Sequence, residues 1–439
     1  MTARPPSRPF ADHMTRLVVI NGRVADPAQN LDLVGDVAIE DGVIREIAPG
    51  ISTAGAATFD ASGLIVAPGF IDIHVHLREP GFEHAETIET GSHAAAAGGF
   101  TSICCMPNTQ PVNDNPAITR FIREGAQRSA VVNVFPIGAV TKNSLGSELA
   151  AIEAMKQAGI VAISDDGKPV MNARLARQAM ELAANIDLPF IEHCEDLDLS
   201  ADGVMHEGAR SHEFGVPGIP RSAEDVMVAR DIILAELTGV RYHIAHISSK
   251  YSVEMAAFAK RRGLRVTSEA TPHHFVLSDS DMAAPDCNFK MKPPLRDHSD
   301  VQAITQGLID GAIDCIATDH APHPASEKNQ AFERCPFGII GLETALPLTL
   351  EQLYHPGKLP LLDLVRLFTL NPARILSLPR GTLRPGAVAD LTIFSLDHEW
   401  TYDVNRSLSK SRNTPFHGRK FRGGPLATIV AGNIIWRRF

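Results

Sequence analysis

Two histidines occupy alternate positions of an apolar run close to residue 75. They are His74 and His76 in FIDIHVHL. Side chains two residues apart on a β-strand point to the same side, so both imidazoles can bind one metal ion. Taken alone, a His-x-His pair is weak evidence, because solvated histidines are common. The pair therefore predicts a metal site only if further ligands lie near it.

Further candidate ligands stand at the ends of three other apolar runs. His193 lies in PFIEHCE, His246 in YHIAHIS and Asp319 in CIATDHAP. Four imidazoles and a carboxylate suit zinc or a similar borderline cation. The alternative is that these three residues only form hydrogen bonds at the rim of the fold. Five candidates on four suitable runs favour metal binding.

A pair of carboxylates, Asp165 and Asp166, ends the run IVAISDD. Two metal ions held close together need a shared anionic ligand, and either aspartate could bridge them. Two such ions lower the pKa of a bridging water towards neutrality and so supply hydroxide as a nucleophile. A carboxylate with a free oxygen then moves the proton, and Asp319 is our candidate for that role.

The elements that must position these residues alternate along the middle of the chain. Eight apolar runs are separated by stretches of helical periodicity such as SAEDVMVARDIILAELTG. Parallel strands buried on both faces, repeated eight times over about 250 residues, predict an α/β fold of the (β/α)8 TIM-barrel type. In such a barrel the carboxyl ends of the strands carry the chemistry. The eight runs cover residues 70–77, 100–107, 131–140, 160–166, 189–195, 242–248, 264–274 and 315–322.

Short β-like runs broken by turns occur at both ends of the chain, and they predict one small β-sandwich built from two distant segments. Residues rich in Pro and Arg precede the second Met, which suggests a loose extension. We therefore expect four parts: a loose N-terminal extension (1–13), the first part of the sandwich (14–67), the metal-dependent hydrolase barrel (68–380) and the second part of the sandwich (381–439).

Charge and composition exclude several classes of partner. The formal net charge of the 439 residues is −10, which argues against a nucleic acid or an anionic membrane as partner. The sequence lacks both an apolar run of about 18 residues and the apolar core of a secretion signal, so we expect a cytoplasmic protein. The six cysteines form no C-x-x-C pair. We expect reduced thiols and no disulfide.

At this point the chain resembles dihydroorotases of the class I bacterial type, within the amidohydrolase superfamily, from about Leu17 to its end. The run HLREPG followed by MPNT is far more specific than His-x-His. The other matching segments are SDDGKPV, IEHCED, HIAHIS, TPHHF, KMKPPLR, IATDHAPH, NPARIL and SKSRNTPFHG.

The resemblance implies an enzyme of de novo pyrimidine synthesis that reversibly converts N-carbamoyl-L-aspartate into L-dihydroorotate. It implies two Zn²⁺ per chain, or other divalent transition metals. Asp166 would bridge the ions, since the second Asp of the DDG run holds that place in the class I pattern. Many relatives bridge with a carboxylated lysine, but the nearest lysine here, Lys168, lies beyond Gly167. One ion would be bound by His74 and His76 and the other by His193 and His246, and Asp319 would be both ligand and acid/base.

The resemblance also implies the residues that contact the substrate. Arg78 offers two parallel donors to a carboxylate, although an ion pair with Glu79 or Glu83 is an alternative. The expected KMNPPLR reads KMKPPLR here, so Lys292 replaces an asparagine that would contact the substrate ring. Lys292 could donate to a carbonyl or carboxylate, or could point to solvent. The polar segment 324–335 suggests a mobile lid. The implied substrate-binding residues are Arg78, Asn108, Lys292, His323, Phe337 and Gly338.

Two other functions use much of the same pattern. A hydantoinase, allantoinase or dihydropyrimidinase would use the same metals on a ring without a carboxylate, and the Arg78 and Asn108 pair argues against it. An inactive barrel could act as a scaffold for aspartate transcarbamoylase, but such chains lose metal ligands and this one retains the whole set. The resemblance allows a homodimer and an association with aspartate transcarbamoylase.

Overall fold

A computed structural model describes residues 16–438 of the chain. The extension predicted for residues 1–13 lies outside the described residues. The strands are β1 (Arg16–Asp26), β2 (Leu31–Glu40), β3 (Val43–Ala48), β4 (Ala57–Asp60), β5 (Ile65–Pro68), β6 (Phe70–Val75), β7 (Phe100–Cys105), β8 (Asn133–Pro136), β9 (Pro189–Glu192), β10 (Met205–His206), β11 (Gly218–Ile219), β12 (Arg241–Ile244), β13 (Val266–Ala270), β14 (Cys315–Ile316), β15 (Leu391–Thr401), β16 (Lys420–Val430) and β17 (Asn433–Arg437).

Both ends of the chain enter one sheet, as predicted. Its eight strands follow the order β17-β16-β15-β5-β1-β2-β3, and β4 pairs with β1. The two chain ends meet where β5 and β15 pair antiparallel, with Leu391 opposite Pro68. Buried residues from both segments, such as Val19 and Ile393, share one apolar cluster. The strands therefore depend on each other for burial, although the exact boundaries 67/68 and 380/381 stay a prediction.

The central segment forms the predicted barrel of parallel strands. One sheet has the order β6-β7-β8 and the other β9-β12-β13-β14. Ile163 joins them through parallel bridges to Gly138 and Phe190, and Val75 pairs with His320 to close the ring. All eight predicted runs thus take part, in chain order.

The fourth run, 160–166, is less regular than predicted, because it pairs only around Ile163. Further along, the carboxylate of Asp165 accepts hydrogen bonds from the backbone N–H groups of Val140 and Thr141, at 2.9 and 3.2 Å. In a continuing strand, backbone carbonyl oxygens would accept from these N–H groups, but here the side chain of Asp165 accepts instead. The ladder therefore ends with the bond from the backbone N–H of Ser164 to the carbonyl oxygen of Gly138, at 2.9 Å, two residues before Asp166.

Helices connect the barrel strands, and side-chain caps define where several of them start. Asn115, Asn172 and Asp297 each accept hydrogen bonds from the first turn of the helix that follows. The helices are α1 (Ile88–Ala97), α2 (Pro116–Ser129), α3 (Ile152–Ala158), α4 (Ala173–Asn185), α5 (Leu197–Ser200), α6 (Ala209–Phe214), α7 (Ser222–Thr238), α8 (Lys250–Arg261), α9 (Pro272–Val276), α10 (His298–Asp310), α11 (Ala325–Lys328), α12 (Ala345–Thr349), α13 (Leu361–Phe368) and α14 (Leu370–Ile375).

No helix within residues 16–438 combines the length and the apolar character needed to cross a bilayer. Buried apolar side chains instead hold the barrel together. Ile71, Cys104, Ile191 and Cys315, from four barrel strands, belong to one buried cluster with Ile375 of α14. Burial of this kind stabilises a fold by about 25 cal/mol per Å² of apolar surface.

The expectation that all cysteines are free thiols is wrong for one pair. Cys287 and Cys335 form a disulfide, with their Cα atoms 6.2 Å apart. They are separated by 48 residues, so only the packing of two loops against each other brings them together. Cys104, Cys105, Cys194 and Cys315 are free and buried.

Candidate active site

All the predicted metal ligands meet at the carboxyl ends of the barrel strands. Each is buried, with at most 6% of the residue exposed. His74 lies on β6 and His76 just after it, His193 follows β9, His246 follows β12, Asp319 follows β14, and Asp166 ends the irregular fourth run.

Asp166 lies at the centre of this cluster. Its Oδ1 is 3.3 Å from His74 Nε2, 3.6 Å from His193 Nδ1 and 3.7 Å from His246 Nε2. Its Oδ2 is 3.5 Å from His76 Nε2. One carboxylate thus faces all four imidazoles, which is the geometry a bridging ligand needs. Asp165 is turned away and bonded to backbone N–H groups.

Asp319 lies on one side of the cluster. Its Oδ1 is 3.0 Å from His76 Nε2 and 3.6 Å from His74 Nε2. Its carboxylate therefore belongs with the first histidine pair. On the other side, His193 Nδ1 and His246 Nε2 are 3.0 Å apart.

The polar atoms of the cluster fit divalent cations. His74 Nε2 and Asp166 Oδ1 are buried and find no hydrogen-bond partner among the described residues. Leaving such atoms without a partner is costly unless a cation binds them. Two overlapping groups, each with ligand atoms within 4.8 Å of one another, consist of His74, His76 and Asp319, and of His74, Asp166 and His246. Imidazoles and carboxylates together suit zinc and related ions.

Three polar side chains orient the histidines from behind. Glu269 Oε1 is 2.6 Å from His74 Nδ1, Glu195 Oε2 is 3.0 Å from His193 Nε2, and Asn108 Oδ1 is 2.9 Å from His76 Nδ1. When one ring nitrogen donates to such a partner, the other presents its lone pair to the cluster. Glu269 also accepts from the backbone N–H of His246, at 3.2 Å.

Sequence reasoning missed Glu269 and Glu195. A signal was present, since Glu269 is an acidic residue inside one predicted strand run and Glu195 is the last residue of another. A buried carboxylate needs a partner, so an acidic residue in such a run points to a nearby imidazole or cation.

The electrostatics keep these carboxylates ionised. Burial alone would raise the pKa of Asp166, but the imidazoles around it hold that pKa well below its usual value. Burial likewise opposes ionisation of Glu269, yet His74 and His243 lower its pKa to about 2. The carboxylates are therefore ionised, as ligands and supports of a cation must be.

Three residues of the site have left-handed backbone conformations, which are unusual for residues other than glycine. Their φ angles are +62° at Arg78, +30° at His246 and +47° at Asp319. Such conformations cost about 1–3 kcal/mol and persist where the surrounding packing imposes them. Here they turn the chain at the ends of strands, where functional side chains must enter the mouth of the barrel.

The predicted substrate residues lie together at this mouth. Arg78 Nε donates to the carbonyl oxygen of Pro322 at 3.2 Å, and its Nη2 is 3.2 Å from His323 Nε2. Glu79 and Glu83, the alternative ion-pair partners of Arg78, bond to backbone N–H groups. Glu79 accepts from the backbone N–H of Ile88, and Glu83 accepts from that of Gly81.

Gly338 lies close to Ala321 and His323, and Phe337 lies close to Lys292. Gly338 has φ +121°, and a Cβ atom there would lie 2.6 Å from the Cβ of Ala321, so only glycine fits. The Phe337 ring centroid is 5.0 Å from Lys292 Nζ. Lys292 points into the site, where its Nζ is 2.7 Å from Glu195 Oε1.

The segment expected to be a mobile lid, 324–335, is held by hydrogen bonds. Lys290 Nζ donates to the carbonyl oxygens of Phe332 and Cys335 at 2.7 and 2.8 Å. Asn413, which sequence reasoning did not single out, donates to the carbonyl oxygens of Ala321 and Gly338 at 2.9 and 3.0 Å. Asn413 thus links the residues that flank this segment, three positions before it and three positions after it.

Comparison with known families agrees with this geometry. A family model described as "Dihydro-orotase-like" matches residues 63–252, and one described as "Amidohydrolase family" matches residues 311–436. A protein named dihydroorotase from Solibacter usitatus is 64% identical over 422 residues, covering 96% of this chain and 98% of the relative. Another, from Pelotomaculum thermopropionicum, is 53% identical over 420 residues, with the same coverage of each chain.

The fold is also similar to solved structures. An L-hydantoinase (dihydropyrimidinase) from Arthrobacter aurescens has a TM-score of 0.87 and 25% identity, covering 96% of each chain. A D-hydantoinase (dihydropyrimidinase) from Thermus sp. has a TM-score of 0.82 and 25% identity, covering 96% of this chain and 95% of the other. The predicted barrel is thereby confirmed as the fold of these amidohydrolases.

Proposed function

The chain belongs to the dihydroorotase family, and from that premise we propose how its own residues carry out the reaction. It is a cyclic amide hydrolase that interconverts L-dihydroorotate and N-carbamoyl-L-aspartate. Like other amidohydrolases, it uses divalent metal, for which it has the candidate ligands. The observation that supports the reaction most directly is the position of Asp166, whose two oxygens face all four imidazoles.

We assign two divalent ions to this cluster, zinc being the ion that its donors suit best. His74 and His76 would bind one ion and His193 and His246 the other. Asp166 would bridge them, and Asp319 would be a further ligand on the side of His76. Ions bound there would polarise the ring amide carbonyl and lower the pKa of the attacking water towards neutrality.

Asp319 moves the proton. As the water oxygen bonds to the ring amide carbon, Asp319 accepts the water proton, and it returns that proton to the nitrogen as the C–N bond breaks. Ring closure runs through the same steps in reverse. Its Oδ1 lies within 3.6 Å of the first two histidines, which supports a place for the carboxylate beside the proposed metal site.

Arg78 binds the carboxylate of the substrate. Its guanidinium presents parallel donors and stands at the mouth beside His323. Asn108, His323 and the backbone of Phe337 and Gly338 complete the proposed substrate contacts. Hydantoins and dihydropyrimidines lack this carboxylate, so an arginine at this place favours dihydroorotate over those rings.

A single purified preparation tests the proposal. Metal analysis should give about two transition-metal ions per chain, and His193→Ala should lose one of them. The wild type should open dihydroorotate, measured by ultraviolet absorbance and chromatography, and should act poorly on dihydrouracil and hydantoin. Faster opening of either of those rings would favour the cyclic-amidase alternative, and no turnover with full metal would favour the scaffold alternative.

The bridging assignment has a test of its own. Lys168 is exposed, and an aspartate bridge needs no carboxylated lysine. Lys168→Ala should keep both ions, and reconstitution of the apo-enzyme should not require bicarbonate. If reconstitution required Lys168 and added bicarbonate, the assignment of the bridge to Asp166 would be wrong. Cytoplasmic location, a homodimer and association with aspartate transcarbamoylase stay predictions, and sedimentation with and without that partner tests the last two.

A further inference from the structure

Lys292 is the first member of a continuous chain of contacts that ends in the metal cluster. Its Nζ is 2.7 Å from Glu195 Oε1, and Glu195 Oε2 is 3.0 Å from His193 Nε2. The other nitrogen of His193, Nδ1, is 3.6 Å from Asp166 Oδ1. Glu195 and His193 therefore each contact the preceding residue of the series through one polar atom and the following residue through the other.

In this series of contacts, the two ring nitrogens of His193 have different partners. Nδ1 faces the proposed ion, so Nε2 must carry the hydrogen, and Glu195 is the group that accepts it. The imidazole can be held in this orientation only if the carboxylate stays in place. Glu195 is 5% exposed and has one oxygen left after bonding to His193, and that oxygen is the one that Lys292 approaches.

The loop that carries Lys292 is itself fixed on both sides. Two residues before it, Lys290 is bonded through its Nζ to the carbonyl oxygens of Phe332 and Cys335. One residue after it, the carbonyl of Pro293 lies 2.9 Å from His274 Nε2. The ammonium of Lys292 is therefore delivered to Glu195 by a rigid segment.

We propose that Lys292 is a positioning residue, which acts on the reaction through Glu195 and His193 and is not a ligand of the substrate. This rests on the proposed function of the metal cluster. The Lys292 side chain is 26% exposed, and the charge of its ammonium is matched by a carboxylate 2.7 Å away. A paired charge gives little attraction to a second anion, because the field of the carboxylate opposes it. Lysine at this position thus supports a metal ligand where an asparagine would have met the ring.

The test compares Lys292→Asn, Glu195→Gln and the double variant in the holoenzyme. Lys358→Asn is the matched control, because it removes an exposed lysine of the same protein outside the site. Three quantities are measured in each variant: the loss of Co²⁺ or Zn²⁺ to a chelator, the visible spectrum of the Co²⁺ form, and kcat and KM for both reaction directions.

Glu195→Gln should weaken the hold on one of the two ions by about 10- to 100-fold. Lys292→Asn should weaken it by a smaller factor, about 3 to 10, because the carboxylate remains but is less well fixed. The effects should not add, so the double variant should match Glu195→Gln within about twofold. The Co²⁺ spectrum should change and kcat should fall, while the ratio of the KM values for carbamoyl-aspartate and dihydroorotate stays within about twofold.

Two results would overturn the proposal. Metal loss and a Co²⁺ spectrum in Lys292→Asn equal to those of Lys358→Asn would show that Lys292 does not position the ligand. A KM ratio shifted tenfold or more by Lys292→Asn, in the Glu195→Gln background as well, would show direct contact with substrate. Failure of the proposed function is distinguishable, because the wild type would then lack two ions or dihydroorotate turnover.

Discussion

Neighbouring residues of one type have different roles here, and their hydrogen-bond partners decide which. Asp165 and Asp166 are adjacent, yet one bonds to the backbone of Val140 and Thr141 and the other faces four imidazoles. Successive side chains at the end of a strand point to opposite sides. The order of the two aspartates therefore decides which one enters the barrel.

At the same scale, replacing Asp319 should separate proton transfer from metal binding. Asp319→Asn keeps the shape of the side chain but cannot accept a proton, so we expect kcat to fall by about 10² to 10⁴. Metal content is measured in the same preparation, and the exposed Asp310→Asn is the control. Near-normal turnover with both ions bound would exclude the acid/base role.

Replacing Arg78 tests whether its guanidinium binds the substrate carboxylate. Arg78→Lys keeps the charge but loses the paired donors, and we expect substrate binding weaker by about 1.5–3 kcal/mol. KM for dihydroorotate should rise accordingly, whereas the slow reaction with dihydrouracil should not change. Arg177→Lys, at an exposed pair with Glu181, is the control. An equal loss with both substrates would mean that Arg78 acts only on the fold.

At the scale of elements, the loop that follows the last barrel strand depends on a residue about 90 positions further along the chain. Asn413 bonds to the carbonyl oxygens of Ala321 and Gly338, and its own Oδ1 accepts from the backbone N–H of His323 at 3.1 Å. A segment between β15 and β16 therefore positions a loop of the barrel. This explains how residues 409–418 contribute to a site to which they bring no metal ligand.

Removing this link should loosen the loop. Asn413→Ala leaves three buried backbone groups without partners, and we expect a loss of about 1–3 kcal/mol in the free energy of unfolding. Hydrogen exchange should increase within residues 321–338, and KM should rise more than kcat falls. Urea unfolding and exchange mass spectrometry measure both effects, with the exposed Asn405→Ala as control. Unchanged exchange in 321–338 would contradict the linking role.

At the scale of the whole molecule, stability should fall in weak acid because of a buried histidine away from the metal cluster. His206 is 2% exposed, and its Nδ1 is 3.4 Å from Arg296 Nη1. Burial and the charge of Arg296 lower the pKa of His206 from 6.5 to about 3. Between these values the unfolded chain binds a proton that the folded chain does not, so unfolding is favoured as pH falls.

The size of this effect is bounded. One proton contributes at most about 1.4 kcal/mol per pH unit to the free energy of unfolding. His206→Gln should flatten the dependence of the melting temperature on pH between about 6.5 and 3, and the exposed His298→Gln should leave it unchanged. An identical slope in wild type and His206→Gln would show that other groups cause the acid sensitivity.

The sequence by itself determined the barrel, the β unit shared by both chain ends and the set of polar residues at the strand ends. It could do so because strand and helix periodicities are local, and because strand ends meet at one rim once the barrel is assumed. His74 and His76 point to the same side because side chains alternate along a strand, which is a property of three consecutive residues.

Only the tertiary structure decided which partners these residues meet. Glu269 lies on β13 and His74 on β6, and no spacing rule pairs residues 195 positions apart. Glu195 lies two residues after His193, but the bond between them depends on how the loop after β9 folds. The disulfide between Cys287 and Cys335 and the contact of Lys292 with Glu195 join loops far apart in sequence. Such pairings depend on how loops pack, and packing is set by the whole chain rather than by any local pattern.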